Sequence, residues 1–253
     1  MSSQEFLPAA TTIIAREADG LEVLMVKRHH EIDFMAGAMV FPGGKVHEGD
    51  NDPAWAQNAM RWNDVPAEER GLRIAAIREC FEECGIILGD PGRAVPGPEM
   101  TRARQAIDRR EMEFLDYVRE KEIVVDLSTL TAFARWMTPS IAPKRFDTHF
   151  FLVADPAGQD ALSDGRETVE TEWIAPGRAL DLAARGERQI VFPTRMNLKL
   201  LAQSATLADA VAAATARELR AVRPRIVTRD GTRFVQLDDI DGYGAVEEKV
   251  AVP

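Results

Sequence analysis

Hydrophobic and polar positions alternate along this chain with two periods, one typical of strands and the other typical of helices. Two strand-like apolar runs, Ala10–Ala15 and Leu21–Lys27, flank the pair Asp19–Gly20, which is a strong hairpin-turn signal. Further strand-like runs lie at Phe133–Met137, Thr148–Ala154 and Val169–Ile174. Because these strands alternate with helical segments, we predict a mixed α/β fold built in layers.

Helical segments occupy much of the remaining chain. An amphipathic helix is predicted from Leu72 to Cys84, ended by Gly85, because glycine is typical of the position after a helix. The polar residues 51–71 before it contain two tryptophans and predict an inserted helical excursion. Three more helices are predicted at Thr101–Val118, Arg178–Arg185 and Arg195–Leu219. The tail, residues 223–244, alternates as strands do and predicts a small hairpin.

Composition and charge limit the class of protein and the kind of partner. The chain has 253 residues, of which 45% are hydrophobic and 28% are charged, as is typical of a globular protein. Its net charge of -10 would repel a polyanion, so we expect no polymeric nucleic acid as a partner.

The sequence carries no targeting signal that we can identify. We expect neither a signal peptide nor a membrane span, because no basic N-terminal segment precedes an apolar stretch and no apolar run approaches roughly 18 residues. Cys80 and Cys84 are the only cysteines, and we expect both to be reduced thiols. These observations favour a cytoplasmic location.

One predicted helix carries a cluster of carboxylates. At about 100° per residue, Glu79, Glu82 and Glu83 fall within an arc of roughly 100°, opposite Ile77 and Phe81. Like charges at this spacing destabilise a helix by perhaps a few tenths of a kcal/mol each. A hard cation such as Mg²⁺ prefers oxygen ligands and would neutralise the repulsion. The spacing alone therefore leaves two interpretations open, a cation site and an ordinary solvated face.

The residues around this helix carry a family resemblance. Arg78–Ile86 match the second half of the Nudix signature, G-x5-E-x7-R-E-U-x-E-E-x-G-U, at every fixed polar and glycine position. Cys80 replaces the bulky aliphatic residue U, a mild departure. The segment Phe41–Lys45, which reads Phe-Pro-Gly-Gly-Lys, is typical of the start of the motif in that family, and Gly44 opens the box. The chain therefore resembles the Nudix hydrolase superfamily.

The box departs from the signature at two points. Asp50 stands where the first Glu belongs, and Asn51–Ile77 contains 27 residues where the signature has seven. A subset of the superfamily carries an insertion here, and the chain resembles the branch typified by the peroxisomal coenzyme A diphosphatase. Five further segments resemble that branch: Phe34–Gly44, Phe133–Pro139, Arg145–Phe151, Glu170–Trp173 and Phe192–Thr194.

The resemblance implies a domain organisation and a fold. It covers residues 8–203, which we expect to form a Nudix hydrolase domain with residues 51–71 as an insertion in the box. Residues 204–253 are expected to add a C-terminal helix and a small hairpin. The implied architecture is an α/β/α sandwich with a mixed sheet, a helical insertion inside the box and extra C-terminal elements.

The resemblance also implies an activity. Nudix relatives hydrolyse a diphosphate linked to another moiety X, and bound metal ions offset the charge of that bond and lower the pKa of bound water. We expect metal-dependent hydrolysis of coenzyme A or acyl-coenzyme A first. ADP-ribose, a dinucleotide or a nucleotide sugar is the alternative substrate. A Nudix-fold ligand sensor without catalysis is a third interpretation.

Site residues follow from the resemblance, residue by residue. Glu79, Glu82 and Glu83 are the expected metal ligands, and together with Arg78 they are the expected catalytic residues. A backbone carbonyl of Gly43 or Gly44 would add an oxygen ligand, and Arg78 would orient the glutamates by charge-assisted hydrogen bonds. The expected ion is Mg²⁺, with Mn²⁺ as the other candidate.

Substrate contacts are a separate hypothesis. Cations and backbone groups that could contact phosphate are Arg28, Gly44, Lys45, Lys144 and Arg145. Glu79 is the first candidate for the base, and a distal loop acid is left open. Candidates for that acid are Glu167, Glu170 and Glu172, each of which could equally be a solvated residue. We expect His47 to be exposed. The expected partner is a small-molecule diphosphate substrate, and the chain could form a homodimer.

Overall fold

The computed structural model describes residues 6–30, 36–139, 144–156, 158–240 and 242–250. Phe34 and Met35, in one segment that carries the family resemblance, lie outside these ranges. Strands run, in chain order, over Leu7–Glu17 (β1), Leu21–Arg28 (β2), Met39–Val40 (β3), Gly43–Lys45 (β4), Ala59–Met60 (β5), Gly89–Asp90 (β6), Val124–Asp126 (β7), Thr131–Met137 (β8), Phe146–Ala154 (β9), Thr168–Ile174 (β10), Ala221–Val222 (β11), Arg225–Arg229 (β12), Thr232–Leu237 (β13) and Val246–Lys249 (β14). Helices run over Ala67–Cys84 (α1), Pro98–Asp108 (α2), Phe114–Glu120 (α3), Pro176–Ala184 (α4), Phe192–Leu201 (α5) and Leu207–Ala216 (α6).

The main sheet has the order β10-β2-β1-β9-β8-β11, with β3 on β2 and β4 on β1. β1 pairs with β9 in parallel and with β2 in antiparallel, so the sheet is mixed as predicted. The hairpin at Asp19–Gly20 is confirmed, because β1 and β2 pair on either side of that turn. Three later strands and α4 also lie where the sequence predicts them.

Helices cover both faces of the main sheet. Successive residues of β1 point to opposite faces, so that Ile14 packs with α1, α2 and α3 while Ile13 packs with α4, α5 and α6. The same alternation places Phe151 of β9 in the first core and Leu152 in the second core. This arrangement is the three-layer α/β/α sandwich that the resemblance implied.

Two predicted helices were wrong in extent. The segment Thr101–Val118 forms two helices, α2 and α3, because the chain leaves the helix at Arg110, whose φ is 59°. The segment Arg195–Leu219 is divided between α5 and α6. Thr206 begins α6 with a reciprocal cap, since its Oγ1 accepts from Asp209 N at 3.1 Å and its N–H donates to the Asp209 carboxylate at 3.1 Å.

The box insertion and the tail also differ from prediction. Of the predicted insertion, residues 51–66 contain short 3-10 turns and the two-residue strand β5, and residues 67–71 belong to α1, which begins at Ala67 rather than Leu72. Trp55 anchors the insertion, since it is buried and its Nε1 donates to Gly49 O at 2.9 Å. The tail forms a three-stranded sheet, β12-β13-β14, rather than a two-stranded hairpin.

The tail elements pack onto the main sheet. β11 extends that sheet beside β8, and Ala210 and Tyr243 contribute side chains to the second core. Cys80 and Cys84 are buried and unlinked in the first core. No helix within the described residues is long and apolar enough to cross a membrane.

The site depends on how α1 packs against the sheet. Ile74, Ile77 and Phe81 are fully buried in the first core, and each such side chain stabilises the fold by about 1.5–3 kcal/mol. Phe81 stacks on Phe114 and Tyr117 of α3. The Thr12 hydroxyl of β1 donates to Ala76 O at 3.0 Å. These contacts fix the rotation of α1, so that its opposite side points at β4 and the box loop.

Candidate active site

The last two turns of α1 present Glu79, Glu82 and Glu83 to the box loop. Gly43 N donates to Glu83 Oε2 at 3.3 Å. A Cβ on Gly44 would lie 2.5 Å from Glu79 Oε1, so only glycine lets the backbone approach this carboxylate so closely. The Pro-Gly-Gly segment therefore forms one wall of the carboxylate cluster.

Arg78 joins this cluster to the box loop. Its Nε and Nη2 donate to the two oxygens of Asp50 at 2.9 and 3.0 Å, the paired geometry that suits a guanidinium. Nη1 donates to Glu79 Oε1 at 2.8 Å and Glu82 Oε1 at 2.7 Å, and Nη2 also donates to Lys45 O at 2.7 Å. Burial alone would lower the pKa of Arg78, but the charges of Glu79, Asp50 and Glu82 outweigh burial and raise it.

The shorter Asp50 thus fills the position of the signature Glu. It is 2% exposed and bonds Arg78 through both oxygens, while its Oδ2 also accepts from His47 N at 2.7 Å. The insertion follows directly after it and leaves this contact intact. Asp50, Arg78, Glu79, Glu82 and Glu83 are together called the carboxylate network below.

The three glutamates are buried, and the interpretation of a solvated face is wrong. Glu79, Glu82 and Glu83 are only 7%, 8% and 4% exposed. Burial raises the pKa of Glu82 to about 8, with repulsion from Glu79 as the next cause. Burial and then repulsion from Glu79 also raise the pKa of Glu83, and burial raises that of Glu79 against the opposing charge of Arg78. The single positive charge of Arg78 therefore does not offset the burial and mutual repulsion of these carboxylates.

The donor set fits a hard divalent cation. Carboxylate and backbone carbonyl oxygens are ligands that Mg²⁺ and Mn²⁺ prefer, and a cation would offset the repulsion among the glutamates. Across the described ranges, no group of three or more His, Cys, Asp or Glu side chains is close enough together to hold a metal ion. Glu79 and Glu82 bond Arg78 instead, so a cation would have to draw the carboxylates together.

A turn before β10 brings a fourth glutamate to the network. Asp164 Oδ1 accepts from Thr168 N and from Thr168 Oγ1, both at 2.8 Å, and Thr168 Oγ1 also lies 3.2 Å from Glu83 O. Arg166 forms an ion pair with Asp108 at the end of α2. Glu167 is exposed on this turn, but neighbouring atoms partly desolvate it, and this desolvation, followed by repulsion from Asp108 and Glu79, raises its pKa. This turn therefore holds Glu167 near the other carboxylates.

The other two candidate distal acids point elsewhere. Glu170 pairs with Lys27 at 3.4 Å, and both side chains are largely exposed. Glu172 lies 3.6 Å from Arg188. Repulsion from Glu79 contributes to the raised pKa of Glu167, which identifies this candidate as the one beside the carboxylate network.

The candidate phosphate contacts divide in the same way. Arg28, at the end of β2, lowers the pKa values of Glu83 and Glu167 through its charge, and its buried Nε has no hydrogen-bond partner among the described residues. Lys45 is exposed on the box loop. Lys144 is exposed, and the Arg145 guanidinium stacks on the Phe6 ring at 3.9 Å. Arg28 and Lys45 are thus beside the network.

Asp108 and His47 are site residues that sequence reasoning missed or misplaced. Asp108 repels Glu79, Glu82 and Glu167, yet no motif marks it, since α2 reaches the site only through tertiary packing. His47 was expected to be exposed, but it is partly buried, and its Nε2 accepts from Arg110 Nη2 at 3.2 Å. Burial and the charge of Arg78 lower the pKa of His47 to about 4.

Comparison with known structures supports the fold. The crystal structure of a NUDIX hydrolase from Alicyclobacillus acidocaldarius has a TM-score of 0.72 and 25% sequence identity, covering 83% of this chain and 97% of that chain. The fold and the box define a Nudix hydrolase, a class that generally uses divalent metal ions. More narrowly, the chain belongs to the NUDT19 Nudix domain family, whose model matches residues 58–201.

Two curated relatives share this family name. The chain is 26% identical over 205 residues to acyl-coenzyme A diphosphatase NUDT19 of Xenopus laevis, covering 63% of this chain and 54% of the relative. It is 25% identical over 237 residues to acyl-coenzyme A diphosphatase NUDT19 of Homo sapiens, covering 76% and 63%. The chain therefore spans between about half and two thirds of the length of these relatives.

Proposed function

We propose that the chain hydrolyses the diphosphate linkage of coenzyme A or an acyl-coenzyme A, using Mg²⁺ or Mn²⁺. The observation that carries this proposal is the carboxylate network, in which Arg78 bonds Asp50, Glu79 and Glu82 across the interrupted box. The substrate is suggested by the relatives named acyl-coenzyme A diphosphatase. Glu79, Glu82, Glu83 and the Gly43 carbonyl would hold the cation.

The chemistry assigns a task to each residue. A bound divalent cation would offset the charge of the diphosphate and lower the pKa of the attacking water. Arg78 orients Glu79 and Glu82 by two charge-assisted hydrogen bonds, and the Gly43 N–H orients Glu83. Water attacks one phosphorus, the bridging P–O bond breaks, and the departing phosphate keeps the bridging oxygen.

A base must take the proton of the attacking water. Glu79 is the first candidate, because its carboxylate faces the glycine wall and its pKa is raised. Glu167 is the second candidate, held beside the network by the Asp164–Thr168 turn. Arg28 lies near Glu83 and Glu167, where its charge would attract a phosphate oxygen.

Substrate identity is tested with a panel. Purified protein is incubated with Mg²⁺ and, separately, coenzyme A, acetyl-coenzyme A, ADP-ribose, NADH and a nucleotide sugar, and the products are separated by chromatography. We expect coenzyme A to yield phosphopantetheine and adenosine 3′,5′-bisphosphate at the highest kcat/KM. A higher kcat/KM for ADP-ribose would reject the substrate assignment, and no turnover of any compound would favour a ligand sensor.

Metal dependence is tested in the same assay. Removal of divalent ions with a chelator should abolish turnover, and either Mg²⁺ or Mn²⁺ should restore it. Full activity after exhaustive chelation would contradict the metal assignment. A cytoplasmic location and a homodimer stay predictions, and gel filtration with light scattering would test the latter.

A further inference from the structure

A cavity of about 300 Å³ lies beside the carboxylate network, between the box loop and the connection from α2 to α3. The charged pair Arg78 and Asp50 lines it, so the cavity and the network share a wall. Trp55 of the box insertion lines it too, which gives the insertion a part in shaping it. Its rim includes His47, Arg110 and Glu113.

Arg110 reaches this rim from an unusual backbone position. It follows the C-terminal end of α2 with φ of 59°, the left-handed region where glycine is ordinarily found. Its N–H donates to Ile107 O at 2.8 Å, which completes the end of the helix.

The charge of Arg110 is not neutralised by a carboxylate. Its Nη2 lies 3.2 Å from His47 Nε2, and no carboxylate within the described ranges is at ion-pair distance from it. His47 is a neutral partner, because burial and the charges of Arg78, Arg110 and Lys45 lower its pKa to about 4. Arg110 is therefore a cation on the cavity rim whose only side-chain partner among the described residues is a neutral imidazole.

The same end of α2 also faces the chemistry. Asp108, two residues before Arg110, repels Glu79 and Glu82. The cavity meets the network at Arg78 and Asp50, so a substrate whose diphosphate lies on the glutamates would have to pass this pair to reach Arg110. Glu48 and Glu113 also line the cavity and would repel an anion, so a second phosphate would depend on its contact with Arg110.

We propose that Arg110 binds a phosphate monoester of the substrate, separate from the diphosphate that is cleaved, and so selects substrates that carry one. This inference rests on the proposed function, since coenzyme A has a 3′-phosphate and dephospho-coenzyme A lacks it. A guanidinium suits this group, because its planar fork donates two parallel hydrogen bonds to phosphate oxygens.

The test compares kcat/KM for coenzyme A and dephospho-coenzyme A in the wild type, Arg110→Gly and Arg110→Lys. Glycine removes the side chain and suits the left-handed backbone, so we expect the fold to survive. The ratio of interest is kcat/KM for coenzyme A divided by kcat/KM for dephospho-coenzyme A. Losing a charge-assisted contact should lower this ratio about tenfold in Arg110→Gly, mainly by raising the KM of coenzyme A. Lysine should restore part of the ratio, because it keeps the charge without the fork.

Glu122→Gly is the matched control. Glu122 has φ of 57° after α3 and lies outside the cavity lining, so this variant relieves similar backbone strain without touching the site. We expect it to keep the wild-type ratio. An unchanged ratio in Arg110→Gly, or an equal loss of kcat/KM for both substrates, would overturn the assignment of Arg110.

A binding measurement separates this inference from the proposed function. Thermal unfolding is followed with adenosine 3′,5′-bisphosphate and with adenosine 5′-monophosphate, which differ by one phosphate monoester and need no turnover. We expect the bisphosphate to raise the Tm of the wild type more, and Arg110→Gly to lose that difference. If Arg110→Gly loses this difference in Tm shift but the wild type hydrolyses no coenzyme A, the proposed function is rejected and the phosphate site is retained. A difference retained in Arg110→Gly would reject the site.

Discussion

Two buried polar clusters lie on opposite faces of the main sheet, and they differ in charge. In the second core, Tyr243 Oη donates to Asn197 Oδ1 at 2.7 Å, and Trp136 Nε1 donates to Asn197 Oδ1 at 3.2 Å. All three of these side chains are neutral. In the first core, the carboxylate network sets one guanidinium against four carboxylates. One cluster contains no net charge, and the other has an excess of negative charge.

The difference in charge indicates that the neutral cluster contributes to stability and the charged cluster to function. A neutral buried hydrogen bond contributes about 1 kcal/mol, so the Asn197 cluster helps to specify how α5 packs on the sheet. Buried carboxylates in excess of their partners oppose folding, because burial penalises their charged form. The excess carboxylates of the network therefore lower the stability of the fold. Binding of a catalytic cation would explain why they are present.

The largest expected effect comes from removing the cation within the charged cluster. Arg78→Met would leave Asp50, Glu79 and Glu82 buried without their cation, which should lower the free energy of unfolding by about 3–5 kcal/mol. Turnover should be lost as well, since the glutamates lose their orientation. Chemical denaturation and the diphosphatase assay measure the two effects.

Arg102→Met is the control for that variant. Arg102 is exposed on α2, so its removal should change the free energy of unfolding by no more than about 0.5 kcal/mol. If Arg78→Met were as stable as this control, the ionic contacts would contribute little, and the contrast between the two clusters would fail.

The second prediction separates activity from stability within the charged cluster. Glu83→Gln should lower kcat by about a hundredfold or more, because it removes a proposed cation ligand. The free energy of unfolding of the cation-free protein should not fall, since a buried repelling charge is removed. Glu170→Gln, at an exposed position paired with Lys27, should change neither quantity. Near-normal turnover by Glu83→Gln would contradict its assignment to the metal site.

The charged cluster was easier to predict from the sequence than the neutral one. Helical spacing placed Glu79, Glu82 and Glu83 together, and the box motif indicated Arg78 as their partner. Both relations are local along the chain or fixed by a short motif. Asn197 and Tyr243 meet across 46 residues, and no spacing rule connects two such positions.

Helix ends explain most of the remaining differences. The sequence around Arg110 contains no glycine, so the left-handed turn that separates α2 from α3 had no local signal. Thr206 and Asp209 do have the spacing of a reciprocal cap, but they lie in an alanine- and leucine-rich run that favours a continuous helix. Asp108 was missed for a related reason, because the position of α2 depends on the packing of the first core.

The third prediction asks how far the charged cluster extends beyond α1. Glu167→Gln should lower kcat about tenfold or more if Glu167 takes part in proton transfer or cation binding. Its effect on KM should be smaller, and the fold should be unaffected because the side chain is on a surface turn. Glu172→Gln, which alters the candidate paired with Arg188, is the control and should keep the kcat of the wild type. Equal kcat values for both variants would confine the functional cluster to α1 and the box loop.

The smallest expected effect belongs to the neutral cluster. Tyr243→Phe removes the hydroxyl that donates to Asn197 and should lower the free energy of unfolding by about 1 kcal/mol. The kcat and KM should stay within about twofold of the wild type, because the sheet separates this cluster from the glutamates. Denaturation and steady-state kinetics on one preparation measure both. A large loss of kcat with little loss of stability would mean that the two clusters are coupled through the sheet, and that the division between a stabilising cluster and a functional one is too simple.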